Sequence, residues 1–210
     1  DTLRDCLKGA PPELVLFDRF YCEERYSFHV QERWPRAARI LDMQDFHALR
    51  LSRQFAIESG GDITQSMSSF PALEQSNLLR EITSIHRSDA TLVCSNAEID
   101  LLHTRYGVSR EKLILAPFFF SDAELNEFER SKSFEARKGF VSIGTFRHPP
   151  NKDSVHYLAR EVWPLIREKL PNAHVKIFGS HMTPDIKALQ DRDAGFLVVG
   201  HAPSLRVLGA

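Results

Sequence analysis

The chain has almost no net charge and little cysteine. Its 27 Lys and Arg are balanced by 28 Asp and Glu, for a formal charge of −1. A chain so balanced carries no nucleic-acid signature in its composition, and no nucleic-acid partner is expected. The three cysteines, Cys6, Cys22 and Cys94, lack metal-ligand spacing, and their odd number leaves at least one unpaired. They read as reduced thiols in a reducing compartment, and no metal site is expected. No apolar run reaches the roughly 18 residues that cross a bilayer. A serine-hydrolase elbow, a Walker-type phosphate loop and a fixed short repeat are also missing. There is neither a secretory signal nor an initiator Met at the start, and the chain stops just after a strand and its loop. We expect a fragment of a longer protein.

What is present fits a folded protein of 210 residues, with 42% apolar and 26% charged side chains. Short apolar runs alternate with helical patterns. Leu14–Phe17, Arg39–Asp42, Thr91–Cys94 and Lys112–Leu115 read as strands, followed by Phe140–Ile143, Val175–Phe178 and Gly195–Val199. Trp34-Pro35 breaks the first helix. Gly60-Gly61 and a polar stretch to Ser69 read as a loop. Helical periodicity resumes near Leu73 and runs through Leu78, Leu79, Ile82 and Ile85. Ser95 and Glu98 have capping-box spacing, and Gly107 supplies a helix stop. Pro164 should kink or end the helix that carries Val155, Leu158, Val162, Leu165 and Ile166. Strands of this length between helices predict α/β parallel sheets. A charged, apolar-poor segment from Ser121 to Lys138 predicts two of them.

The richest stretch runs from Gly139 to Gly179. A strand meets Gly144, Thr145, Phe146, Arg147, His148, Pro149, Pro150, Asn151 and Lys152, then a helix, then a second strand ending at Gly179-Ser180. In a βαβ unit this loop and the helix start make an anion site. Gly144 lets a ligand approach the backbone, and a helix start near Asn151 or Asp153 offers unpaired N–H groups. Arg147 and Lys152 add charge suited to a diphosphate. On the loop alone, the favoured reading is an ordinary βα turn with two solvated basic side chains. Asp45 and His47, past another strand end, are placed to orient a hydroxyl or take its proton. Alternatively Asp45 caps a helix and His47 is a surface residue. The strand ends at Gly179-Ser180 and Gly200-His201 fall where open α/β sheets hold ligands, and each also reads as a turn. Arg80-Glu81 and the charged stretch from His86 to Asp89 read as packing and capping features. Phe118, Phe119 and Phe120 read as inter-domain packing or as a pocket wall, with packing favoured.

Taken in order, these features resemble glycosyltransferase family 4, retaining enzymes of the two-Rossmann-domain (GT-B) type. The resemblance is carried by Ile40 to Arg50, Arg80-Glu81, Ser88 to Ser95 with Glu98, and Leu113 to Pro117. It continues through Phe140 to Gly144, His148 to Asn151, and Val175 to Gly179. It covers residues 13 to 205. It implies an acceptor-side Rossmann-like domain over 1–130 and a donor-side one over 131–210, both incomplete. A glycine-rich loop before Asp1 and a carboxylate motif after Ala210 would complete them.

By the same resemblance, Gly144, Thr145, Phe146, Arg147, Lys152, Gly179 and Ser180 bind a nucleotide-diphosphate sugar as donor substrate, with no further cofactor. Asp45 and His47 act on the acceptor hydroxyl of a glycan, a lipid-linked or a small-molecule acceptor. Asp153 stands where relatives have Gly, and Gln44 where many have His. The implied location is cytoplasmic, with peripheral membrane contact where the acceptor is lipid-linked. A fragment lacking both ends should turn over weakly or not at all. A nucleotide-sugar epimerase of the same fold and a non-catalytic binding module are the alternatives.

Overall fold

The computed structural model describes residues 8–62, 72–123 and 133–202. Cys6, Pro203 and most of the polar stretch before Ser69 lie outside them. Contacts divide the chain into two compact units, Asp1–Phe119 and Phe120–Ala210. Residues 124–132, around the boundary expected at 130, also lie outside the described residues.

The first unit runs β1 (Leu14–Asp18), α1 (Arg19–Arg33), β2 (Ala38–Asp42), α2 (His47–Glu58), α3 (Ala72–Arg87), β3 (Ala90–Val93), α4 (Asn96–Tyr106) and β4 (Leu113–Leu115). Its sheet is wholly parallel, in the order β1-β2-β3-β4. Register aligns Phe17 with Leu41, Leu41 with Thr91, and Thr91 with Leu113, all four buried. On that face sit Val30 of α1, Leu49 of α2, Ile85 of α3 and Leu102 of α4, making one core. The opposite face carries Leu14, Leu16 and Ile114, which stay exposed. One-sided cover follows from a strand order that never reverses, because successive right-handed crossovers return along the same face.

The helices follow from their apolar spacing and their ends. Phe20, Glu23, Ser27 and Val30 of α1 recur at helical intervals and are buried. Glu23 is tolerated inside because Arg87 of α3 donates to it from Nε, at 3.0 Å, and from Nη2. Leu78, Ile82 and Ile85 of α3 reach the core, whereas Leu79 points outward, 68% exposed. Lys112 closes α3 by donating to the carbonyls of His86 (2.9 Å) and Ser88 (2.7 Å). Gly107 ends α4 in the left-handed region at φ 66°.

The helix expected after Asp45, as the alternative to a site there, forms as α2 and runs into the ambiguous stretch after residue 50. Its amphipathic face, Ala48, Leu49 and Ser52, is short. Its start is secured by groups from elsewhere in the chain.

The second unit runs β5 (Phe140–Thr145), α5 (Pro149–Tyr157), a π-helical turn (Leu158–Val162), α6 (Trp163–Lys169), β6 (Val175–Ser180), α7 (Pro184–Lys187) and β7 (Phe196–Gly200). Its sheet is parallel in the order β5-β6-β7. Pro164 sits at the start of α6, and the π turn before it is the expected kink: the missing N–H and the ring displace the regular ladder. Trp163 anchors the core, edge-on to Phe140 and Phe196, and donates to Ala194 O at 2.8 Å. The α/β class and two small parallel sheets thus stand as expected. No described helix is long and apolar enough to cross a membrane.

Candidate functional site

In the second unit, parallel register brings together residues far apart in sequence. Gly144 aligns with Gly179 and Thr145 with Ser180, so the ends of β5 and β6 lie side by side. Phe146 N–H donates to Ser180 O at 3.0 Å and ties the two exits together. Thr145 and Arg147 are exposed, and Ser180 is partly so. Arg147 makes no hydrogen bond or ion pair among the described residues. A guanidinium at a strand's carboxyl end, next to two hydroxyls, is chemically fit to hold phosphate oxygens.

Four details of the expected site are corrected. Gly144 does not open its backbone to a ligand: a Cβ there would meet Asn151 Nδ2 at 2.9 Å, and that amide donates to Thr145 O at 3.0 Å. A Cβ at Gly179 would lie 2.4 Å from Gly144 O and 2.3 Å from the Phe146 ring. Gly179 is therefore a packing requirement, and Phe146, 3% exposed, is a core residue rather than a ligand contact. The helix start also differs. It falls at Pro149 and Pro150, which have no N–H, and the Asn151 and Lys152 N–H groups already donate to His148 O. Lys152 is not free either. It pairs with Asp185 at 3.2 Å, and His156 Nε2 lies 3.0 Å from the same carboxylate. Those partners, His156 first, hold the Asp185 carboxyl well below the usual carboxylate range.

In the first unit the carboxyl ends of β1 and β2 form a polar clasp. Asp18 accepts from Arg19 Nε (3.1 Å) and Nη2 (3.0 Å) and from Gln44 Nε2 (2.7 Å). Arg19 and Gln44 both have positive φ, 67° and 59°, a conformation non-glycine residues adopt only when neighbours impose it. Asp45 accepts from Arg50 Nε at 2.5 Å and does not cap α2. That role falls to two distant carboxylates. Glu81 accepts from His47 N–H (2.9 Å) and Ala48 N–H (2.7 Å), and Glu98 accepts from Phe46 N–H (3.2 Å). Ser95 caps α4 as expected, accepting from Glu98 N–H at 3.2 Å. Glu98 does not reach back to complete the box, because its carboxylate faces Phe46 and the Cys94 thiol. Burial, then Glu98, pushes that thiol up.

His47 is mostly buried, its ring edge-on to Phe20. The hydrogen bond to Glu81 raises its pKa against the opposing effect of burial, and Asp45 adds to the rise. Asp45 and His47 therefore do meet, with Nδ1 3.3 Å from Asp45 Oδ1. The residues missed from sequence are Glu81 as a ligand-like anchor of His47, Gln44 as the Asp18 partner, and Asp185 as the Lys152 partner. Arg80-Glu81 is a capping feature as read, but nothing local pointed to its target.

Among the described residues, hollows lie elsewhere, at the amino ends of the strands. One, about 310 Å³, is lined by Pro11, Pro12, Trp34 and Pro35 among others. The other, about 460 Å³, lies between Lys138–Phe140 and Lys169–His174. Neither includes a predicted site residue. Among the described residues no cluster of three metal-ligating side chains occurs. Compared with known proteins, the chain matches no family model and no curated sequence at a significant level.

Proposed function

We propose that this chain is part of a nucleotide-sugar-dependent glycosyltransferase built from two Rossmann-like domains. The observation that carries the reading is the juxtaposition, at the carboxyl ends of β5 and β6, of Thr145, Ser180 and an exposed Arg147 that has no partner among the described residues. The second unit holds the donor. Arg147 forks onto the diphosphate, and Lys152 joins it when phosphate oxygens replace Asp185 as its partner. Charge on the departing diphosphate is stabilised by these cations, the kind of fixed electrostatic help that dominates group-transfer catalysis. The first unit holds the acceptor, with its hydroxyl oriented by Asp45 and His47. The acceptor is a glycan, a lipid-linked sugar or a small molecule.

Titration calorimetry of the chain with UDP, GDP and ADP tests the reading. Binding of one diphosphate that is lost in Arg147→Ala supports it. No binding by any of the three, or binding indifferent to Arg147, retires it.

A further inference from the structure

The ring of His47 is held in one chemical orientation. Around Nδ1 stand only oxygens: Asp45 O at 3.1 Å, Asp45 Oδ1 at 3.3 Å and Glu81 Oε1 at 3.4 Å. Carbonyl and carboxylate oxygens can only accept, so Nδ1 keeps its proton in the neutral and the charged ring alike. The lone pair of the neutral ring is therefore on Nε2, which makes no hydrogen bond among the described residues.

Glu81 cannot swing away from this arrangement. It is 2% exposed, and its two oxygens are pinned by the backbone N–H groups of His47 and Ala48. Other charges around the ring are accounted for. Arg50 neutralises Asp45, Arg80 lies 4.8 Å over the Phe20 ring that backs His47, and Glu98 is turned to Phe46 N–H. Glu81 is thus the buried charge aimed at Nδ1 from another helix.

We propose that Glu81 is the positioning residue of a Glu81–His47 pair, which presents His47 Nε2 as a proton acceptor at the carboxyl end of β2. The hydroxyl that it serves rests on the transferase reading above. In that reaction the acceptor oxygen bonds to C1 of the donor sugar. The C1–O bond to the diphosphate breaks, its electron pair leaving with the diphosphate. The hydroxyl proton passes to Nε2, and the imidazolium so formed is stabilised by Glu81.

Nitrogen-15 NMR of the histidine rings in the whole chain tests the pair without any substrate. The expected spectrum of neutral His47 has a pyrrole-type Nδ1 and a pyridine-type Nε2. Glu81→Gln keeps an oxygen for the backbone N–H groups but removes the charge. Its His47 titration midpoint should fall while the other histidines stay in place. A neutral His47 protonated on Nε2 overturns the proposal, and so does an unmoved midpoint in Glu81→Gln. Where Glu81→Gln fails to fold, a neutral His47 protonated on Nε2 in the unmodified chain still overturns the proposal. In a transfer assay, His47→Gln should lower turnover about 10²-fold. Absent transfer with the NMR signature intact retires the transferase reading alone. The wrong tautomer retires the pair alone.

Discussion

Glu81→Ala should unfold the first unit far more easily than an ordinary helix-surface change. The carboxylate lies on α3 but holds the start of α2, accepting from two backbone N–H groups at 2.9 and 2.7 Å. Losing a helix-capping acceptor costs about 1 kcal/mol. Ala48 is fully buried, so its N–H then has no water to turn to, which adds about 2 kcal/mol. The expected loss is about 3 kcal/mol, or roughly 10 °C in Tm for a unit of this size. Glu81→Gln keeps one acceptor oxygen and should lose about half as much. The two tryptophans make the assay specific. Trp34 packs against the first core and Trp163 sits in the second. Urea unfolding followed by fluorescence in a Trp163→Phe background therefore reports the first unit. A Glu81→Ala midpoint within about 0.5 kcal/mol of the parent, the range of inconsequential surface changes, would refute the capping argument.

Gly179→Ala should destabilise the second unit by about 3 kcal/mol, since the new methyl meets backbone oxygen and a buried ring. Trp163 fluorescence in a Trp34→Phe background measures it. His47 has a raised pKa in the fold, so its stabilising contribution is complete below the ordinary value of 6.5 and is lost as pH rises through the folded value. The stability gap between the parent and His47→Gln should therefore be widest at acid pH and narrow toward alkaline pH; a gap independent of pH would contradict the ion-pair account. Arg147→Ala should weaken binding of the preferred nucleoside diphosphate about tenfold or more, the value of one charge-assisted contact, by calorimetry. Its urea midpoint should not move, because the exposed side chain makes no hydrogen bond or ion pair among the described residues.

Much of the architecture was legible because it is encoded locally. Each β-strand announces itself as an apolar run between turn residues, and Ser95, Gly107 and Pro164 act within a turn of their own positions. The start of α2 was not legible. Its capping groups lie 34 and 52 residues away, on other helices. The glycines of the βα loop were misread for a related reason. A glycine that admits a ligand and one that admits a neighbouring side chain look alike in sequence; only the positions of Asn151 and Phe146 tell them apart.

Sequence alone therefore determined the alternation of strands and helices, the α/β class and the strand ends where polar residues gather. These follow from hydrophobic period and turn chemistry, which act over a few residues. Tertiary structure alone decided which strands are neighbours, that Thr145 stands beside Ser180, that Lys152 is taken up by Asp185, and that a buried Glu81 from another helix comes within 3.4 Å of His47 Nδ1. Such pairings depend on register and on side chains meeting across the fold. Charge and hydrogen-bond capacity are written in the chain, but their partners are chosen by packing.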